Sequence, residues 1–357
     1  MSNNKENYFI DFLRFIFSLC ILFYHSWIFS GTFGNGILNN GYLAVDFYFI
    51  VTGYLMINSI YNHKNNNLSV LKDSFNFVHR KIKKLLPALV ATFLVGVLFV
   101  YGKSILSDPK ILLSNQLWPE LFQLGILGYP LSVNSSWWYI SAMIFVIALL
   151  YPFATKYKEN YCKYICPLVI IFTLGLVNVC KININDPLTI SFFLRNGFYK
   201  ALIFIPLGNI SYIITDILKR KNFSKYKIIL LSLIEIILYV AIVLNMQYLF
   251  IGTFLCAILL ALNISLTFSN VTLAPKIFKH TIWKKLGNYG FYIFLCNISI
   301  RTYMLRKYAD LGLTYKQLLF RFLIITCITS LILYIIVEIV YKKLILKRIM
   351  NIKNKKS

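Results

Sequence analysis

Residues 11–25 read DFLRFIFSLCILFYH. They lie within a long apolar run, residues 8–29, which is long enough to cross a bilayer core that requires ~20 helical residues. A charged side chain near the centre of a membrane helix costs at least ~2.5 kcal/mol, so an arginine and a histidine in such a run indicate a function. This stretch therefore predicts a membrane helix with functional polar groups at Arg14 and His25.

Helical geometry places the polar groups of this stretch on one face. At about 100° per residue, eleven positions return almost to the starting angle, so Arg14 and His25 face the same way, ~16 Å apart along the axis. Asp11 and Ser18 fall on the same side within about 60°. The prediction is a polar stripe along the helix, with a fixed cation near one end and an imidazole near the other.

The composition of the chain indicates a polytopic membrane protein. Of its 357 residues, 59% are hydrophobic and 14% are charged, and the mean hydropathy is +0.69, too apolar for a soluble domain. The net charge of +25 does not indicate nucleic-acid binding, because the lysines lie between apolar runs and no zinc-finger or RNA-binding motif accompanies them. The seven scattered cysteines predict neither a disulfide framework nor a metal site.

Hydropathy predicts an all-α protein with about ten membrane spans. With the N-terminus inside, 26 of the 37 Lys and Arg residues lie in cytoplasmic segments and 7 in external ones, so both termini are expected in the cytoplasm. The chain divides into a transmembrane domain, residues 1–341, and a basic cytoplasmic tail, residues 342–357, expected near anionic lipid. The predicted spans are residues 8–29, 41–61, 85–102, 136–155, 164–180, 197–217, 228–244, 247–268, 286–303 and 317–340.

This topology converts sequence positions into depths in the membrane. His25 lies ~6 Å below the external surface, and Asp46, on the descending second span, lies ~8 Å below it. The linking segment GTFGNGILNN is short, so the two helices are expected to be neighbours whose side chains are able to pair. A carboxylate on one ring nitrogen raises the basicity of the other, which suits a general base that deprotonates a hydroxyl. The alternative is an ion pair that only holds two helices together, and the residues leave both readings open.

A group of cations lies towards the cytoplasm. Arg80 and Lys84 are four residues apart and share a helix face at the start of the third span. With Arg14 they are candidates for a site that binds a phosphorylated ligand, because guanidinium groups bind phosphate in a forked geometry. Ordinary positive-inside charge is the alternative. We favour it for Lys81 and Lys83 but not for Arg14, which lies too deep for a loop residue.

Aromatic and polar residues mark the external side. Trp138 and Tyr139 open the fourth span, where they would anchor the helix at the interface or stack on a sugar ring. Asn297 in the ninth span and Arg301, one turn further out, are candidates to face the same cavity as His25. The other intramembrane charges are expected to form structural pairs whose partners the sequence does not identify: Lys200, Glu235, Arg321 and Glu338.

Five motifs, in order along the chain, resemble those of the membrane acyltransferase 3 family. The family's first-span arginine and histidine, separated by ten residues, are present as Arg14 and His25, preceded by Asp11. Four further segments are similar to the second-span, basic third-span, fourth-span and late motifs: GYLAVDFYFIVTGYLM (41–56), HRKIKKLLP (79–87), SWWYISAM (136–143) and LGNYGFYIFLCN (286–297).

Two positions depart from the family's pattern. Met143 stands where many members have glutamate, and Asn297 stands where the late motif usually ends in histidine. The chain therefore lacks the second histidine and the fourth-span carboxylate of that pattern at these positions. Lys84 stands where a second arginine is frequent, and it keeps the positive charge. Thr52 stands where serine is common, and it keeps the hydroxyl.

The resemblance implies an O-acyltransferase of the cell (cytoplasmic) membrane, which we expect to be bacterial. Its donor would be cytoplasmic acyl-CoA, most commonly acetyl-CoA, with the phosphates held by Arg14, Arg80 and Lys84, and without a tightly bound cofactor or metal. His25, oriented by Asp46, would activate an acceptor hydroxyl for attack on the thioester. The acceptor would be a surface polysaccharide or its lipid-linked precursor. Membrane lipids are the other expected partners, and nucleic acid is not.

Two other functions are compatible with these residues. A transporter or exporter of a glycan or an anion would line its path with Arg14 and His25 and would move substrate without covalent change. A non-catalytic family member is the second alternative, suggested by Met143 and Asn297. The ordered motifs favour the enzyme over the transporter, and the presence of Arg14 and His25 favours it over a non-catalytic member.

Overall fold

The computed structural model describes residues 7–31, 36–62, 69–113, 117–308, 311–341 and 343–344. Within these residues the chain folds almost entirely into helices, which confirms the predicted all-α class. The exception in the described part is a short antiparallel pairing of Ile190–Ser191 (β1) with Leu194–Arg195 (β2). The predicted basic tail, residues 342–357, lies outside the described residues apart from 343–344, so the division at residue 341 stays a prediction.

Twelve α-helices follow one another in the described residues, and short 3-10 and π-helical turns extend or connect several of them. They are α1 (Tyr8–His25), α2 (Ala44–Asn62), α3 (Val70–Ser107), α4 (Trp118–Leu121), α5 (Trp138–Tyr157), α6 (Cys166–Val179), α7 (Asn196–Arg220), α8 (Lys225–Tyr248), α9 (Thr253–Ser269), α10 (Ala274–Ile277), α11 (Ile282–Tyr308) and α12 (Tyr315–Tyr334).

Eight helices of the described part are long and apolar enough to cross a membrane, and each coincides with a predicted span. The two remaining predicted spans are also helical: α9 has 17 residues, and α11 carries polar residues such as Asn297 and Arg301. The polytopic membrane class is confirmed, whereas the number of ten spans and the cytoplasmic termini stay predictions. The eight are Tyr8–Ser30, Gly41–Asn62, Val70–Ser107, Ser135–Tyr157, Tyr161–Val179, Asn196–Arg220, Lys225–Tyr248 and Tyr315–Tyr341.

The third predicted span is part of a much longer helix. Hydropathy places the span at residues 85–102, but α3 begins at Val70, where the Ser69 side chain accepts the N–H of Lys72 at 3.4 Å. Lysine and arginine lower the hydropathy of the segment before residue 85, yet they are good helix formers. The predicted donor-binding cations Arg80 and Lys84 therefore lie on the third and fourth turns of a continuous helix.

Two glycines allow α11 to lie directly against α1. A Cβ atom at Gly287 would come within 2.6 Å of the backbone oxygen of Asp11, and one at Gly290 within 2.8 Å of the Oγ of Ser18. Small residues of this kind permit the close approach of membrane helices. The earlier residue of α11 contacts the earlier residue of α1, and the later contacts the later, so α1 and α11 run parallel. The predicted topology requires this of the first and ninth spans.

The helices α2 and α7 are also in close contact through glycine. A Cβ atom at Gly53 would overlap the backbone oxygen of Ile205, and one at Gly208 would overlap the backbone oxygen of Ile50. The overlap is with backbone atoms, which cannot rotate away as a flexible side chain would. This interface therefore fixes the rotation of α2 about its own axis, and with it the direction of the polar side chain of Asp46.

Replacement of Gly208 by alanine is expected to lower the thermal unfolding midpoint of the purified protein. The new methyl group overlaps the backbone oxygen of Ile50, and overpacking of a tight core costs typically ~1–3 kcal/mol. The matched control is Gly175→Ala in α6, where a Cβ atom would meet no atom within 4 Å. Scanning fluorimetry in detergent measures both variants. Equal midpoints would show that α2 and α7 are not in close contact.

Candidate active site

His25 ends α1 and lies against Asn297 of α11. The Nδ1 atom of His25 is 2.5 Å from the Oδ1 atom of Asn297, which is fully buried. The amide nitrogen of Asn297 donates to the backbone oxygens of Ile293 and Phe294, at 3.3 and 2.7 Å, so its oxygen is the atom that faces the imidazole. Because an amide oxygen only accepts hydrogen bonds, Nδ1 carries the proton. The Nε2 atom of the neutral ring then keeps a lone pair and is able to act as a base.

Asp46 does not pair with His25, so the predicted pairing is wrong. The Oδ1 atom of Asp46 lies 2.8 Å from the Nζ atom of Lys200, and both side chains are almost fully buried. The physical reason is rotation, because the close contact of α2 with α7 turns Asp46 towards Lys200 rather than towards α1. Equal depth in the membrane was predicted for His25 and Asp46, but depth does not determine which neighbour a side chain faces. Asn297 occupies the position on the imidazole that we had expected for the carboxylate.

The Lys200 ammonium has aromatic neighbours as well as a counter-ion. Its Nζ atom lies 5.3 Å from the ring centroid of Tyr42 and 5.7 Å from that of Phe204, within the range of cation–π attraction. The partner of Lys200, which the sequence left open, is therefore Asp46. As a neutralised pair, these two residues add no net charge to this part of the helix bundle.

Arg14 lies on α1 with its guanidinium partly exposed. Its Nη1 atom is 3.0 Å from the Oδ1 atom of Asp11, and 30% of its side chain is accessible. An arginine has five N–H donors, so this ion pair leaves donors for a ligand. Arg80 and Lys84 are exposed on α3, and within the described residues no hydrogen bond or ion pair joins them to Arg14. The structure brings Asp11 to Arg14 but does not join the three predicted donor-binding cations into one contact cluster.

Hydroxyl groups occupy the face of α1 between Arg14 and His25. The hydroxyl of Ser18 donates to the backbone oxygen of Arg14 at 2.8 Å and lies 2.6 Å from the hydroxyl of Tyr48. Tyr48, on α2, also donates to the backbone oxygen of Arg14, at 2.5 Å. Our sequence reasoning missed Tyr48. The signal was its place in the second-span motif, where a tyrosine hydroxyl inside a membrane helix needs a hydrogen-bond partner.

Trp138 and Tyr139 begin α5 but lie inside the helix bundle. The ring of Tyr139 is 4.6 Å from that of Phe49, and its hydroxyl is 3.4 Å from the Oγ1 atom of Thr52. The indole of Trp138 lies against Gly197, where a Cβ atom would overlap it. Their burial does not fit anchors that face the lipid interface, and a role in acceptor binding stays a prediction.

Arg301 lies one turn beyond Asn297 on α11, so the two side chains share a helix face. The Nε atom of Arg301 is buried and has no hydrogen-bond acceptor among the described residues. The structure therefore brings two of the predicted acceptor-side residues, Asn297 and Arg301, to the candidate base.

A buried carboxylate that our sequence reasoning missed fixes the segment between α4 and α5, next to the site. Glu120 is fully buried and accepts the backbone N–H groups of Val133 and Asn134, at 2.8 and 2.6 Å. Burial raises the pKa of this carboxyl to about 7, and the backbone hydrogen bonds act in the opposite direction. Asn134 in turn donates to the backbone oxygen of Leu295, two residues before Asn297. A single acid between two spans gave no sequence signal for this role.

These features define a multi-pass, α-helical membrane protein with an imidazole oriented as a base inside the bundle. The model of the acyltransferase 3 family, described as an acyltransferase domain, matches residues 7–339, nearly the whole chain. The protein belongs to this family and is a membrane acyltransferase, which confirms the resemblance seen in the five motifs. No curated protein and no solved structure matches the chain.

Proposed function

We propose that the protein moves an acyl group, most commonly acetyl, from cytoplasmic acyl-CoA to a hydroxyl of an extracytoplasmic polysaccharide or of its lipid-linked precursor. Its place would be the cytoplasmic membrane of a bacterium. The observation that carries the proposal is the contact of His25 with Asn297, which holds Nδ1 and leaves Nε2 as the basic nitrogen. Arg14, with unused donors, lies nearer the opposite end of the same helix.

The chemistry follows from the free Nε2 atom of His25. This nitrogen takes the proton of the acceptor hydroxyl while the hydroxyl oxygen attacks the carbonyl carbon of the thioester. The carbon–sulfur bond then breaks, and the CoA thiolate leaves with the proton that the imidazolium returns. The products are an ester and CoA with a free thiol, and His25 is again neutral. Asn297 acts as a positioning residue, since its oxygen fixes which nitrogen carries the proton.

The donor would bind with its phosphates at the cytoplasmic end of the stripe. Arg14, Arg80 and Lys84 are the candidates, because guanidinium and ammonium groups form charge-assisted hydrogen bonds with phosphate. The hydroxyls of Ser18 and Tyr48 lie along the ~16 Å that separate Arg14 from His25. The acyl arm of the donor would follow this face of α1 to reach the imidazole.

The surface glycan of the native host tests the proposed function. We compare the wild-type strain, a deletion strain and the complemented deletion strain by mass spectrometry of the isolated glycan. The expected result is a loss of one acyl unit per modified residue on deletion and its return on complementation. A glycan of unchanged mass but reduced amount at the surface would instead support a transporter, and an unchanged glycan would contradict both functions.

Replacement of Arg14 by leucine is expected to raise the KM for acyl-CoA about tenfold or more, since a hydrogen bond to a charged group is worth ~1.5–3 kcal/mol. The matched control is Arg220→Leu in α7, because Arg220 also pairs with an aspartate one turn earlier, Asp216, but is largely exposed. Initial rates of acyl transfer as a function of acyl-CoA concentration measure the effect. A KM equal to that of the wild type would reject the assignment of Arg14 to the donor.

A further inference from the structure

Arg301 carries a partly buried charge, and no counter-ion for it lies among the described residues. Its Nε atom has no acceptor among the described residues, and no ion pair within them includes its guanidinium. The other buried cation of the external half, Lys200, is paired with Asp46. Arg195 and Arg306, which also lie towards this side, donate to backbone oxygens. A partly desolvated charge without a partner is unfavourable, so a ligand that supplies the anion would stabilise this site.

The unpaired guanidinium is close to the candidate base. Arg301 follows Asn297 by four residues on α11, and Asn297 contacts the imidazole of His25 at 2.5 Å. An anionic group bound by Arg301 would therefore lie beside a hydroxyl that His25 is able to deprotonate.

The surroundings of this pair suit a sugar that carries a negative charge. The ring of Tyr24 lies 5.2 Å from the imidazole of His25 and 6.1 Å from the ring of Tyr42, which it meets nearly at a right angle. Aromatic faces with polar edges are common in sites for small polar ligands. The carboxylate of Asp186 accepts the hydroxyl of Thr189 at 2.5 Å and forms no ion pair with a described arginine.

We propose that Arg301 binds an oxyanion, a carboxylate or a phosphate, that the acceptor sugar carries next to the hydroxyl to be acylated. The proposal rests on the acyltransferase function proposed above and names the class of acceptor. Arginine suits the role because its planar fork matches both groups with two parallel hydrogen bonds. A neutral sugar would leave the partly buried guanidinium unpaired, so Arg301 selects anionic acceptors against neutral ones.

The test measures binding first, so that it does not depend on catalysis. Full-length protein in nanodiscs is heated with each of two matched pairs of probes: methyl glucuronide against methyl glucoside, and glucose 6-phosphate against glucose. We expect one or both anionic probes, and neither neutral probe, to raise the unfolding midpoint of the wild type. Arg301→Gln should abolish this rise and Arg301→Lys should keep part of it. The control Arg321→Gln removes the same charge from an exposed position on α12 and should keep all of it.

A midpoint raised by methyl glucuronide but not by methyl glucoside would identify the anion as a carboxylate. A midpoint raised by glucose 6-phosphate but not by glucose would identify it as a phosphate. A wild-type midpoint that anionic and neutral probes change equally would overturn the proposal, as would an anion effect that survives in Arg301→Gln. Acyl transfer from labelled acetyl-CoA then gives an independent readout, in which the preference for the anionic over the neutral probe should fall about tenfold or more in Arg301→Gln.

These two measurements separate the failure of the proposal from the failure of the proposed function. An equal loss of kcat on both kinds of probe, with an unchanged preference, would assign Arg301 to the transition state and reject its role in acceptor choice. Anion binding that depends on Arg301, in a protein that transfers no acyl group to any hydroxyl, would keep the anion site and reject the acyltransferase function.

Discussion

Replacement of His25 by alanine is expected to reduce acyl transfer about 10²- to 10⁴-fold, the range that a positioned general base contributes. The structure gives the reason, because Asn297 holds the Nδ1 atom of His25 and leaves Nε2 as the basic nitrogen. Alanine removes both nitrogens. Complementation of a deletion strain with the variant, followed by mass spectrometry of the surface glycan, measures the effect, and initial rates with purified protein measure its size.

Two control measurements test whether the loss of acyl transfer is due to the imidazole of His25 itself. The control His280→Ala removes an exposed histidine just before α11, whose ring accepts the backbone N–H of Ile282, and it should keep nearly full activity. Acyl-CoA should also raise the unfolding midpoint of the His25 variant as much as that of the wild type, because the proposed site for the donor phosphates lies towards the other end of α1. A folded variant with full transfer activity would remove His25 from the mechanism.

The sequence was sufficient to locate the helices. All ten apolar runs are helices, and α1 and α11 run parallel, as the predicted order of the spans requires. Gly287 and Gly290 allow α11 to lie directly against α1, but the sequence alone did not show which neighbouring helix each glycine contacts. The start of α3 was misplaced, because hydropathy reports the transfer of side chains to lipid and not the tendency of lysine-rich segments to form helix.

The rotation of each helix about its axis could not be predicted. Asp46 and His25 were expected at equal depth, yet Asp46 faces Lys200 because α2 lies against α7. Asn297 was placed only as an acceptor-side candidate, and it is the direct partner of His25. Such pairings depend on which small residues of distant segments meet, and a hydropathy pattern contains no information about that. The hydrogen bonds of Glu120, which lies outside the predicted spans, could not be predicted from the hydropathy pattern either.

The ion pair of Asp46 with Lys200 gives the prediction with the largest expected effect on stability. Both side chains are at most 2% exposed, so removal of either partner leaves a buried charge without compensation. Such a loss costs about 3–5 kcal/mol, whereas replacement of both partners by apolar residues is often nearly neutral. Lys200→Met and Asp46→Leu are each expected to lower the unfolding midpoint in detergent strongly, and the double variant is expected to recover most of the loss.

The double variant also decides between two roles of Asp46. If Asp46 only stabilises the contact of α2 with α7, the folded double variant should transfer acyl groups at a rate close to that of the wild type, because His25 keeps Asn297 as its partner. If the carboxylate takes part in catalysis, recovery of stability would come without recovery of activity. The exposed pair of Glu159 and Lys163 is the matched control, since an exposed ion pair contributes about 0–1 kcal/mol and its loss should change neither property. A double variant as unstable as the single ones would show that the two charges are not compensated by each other.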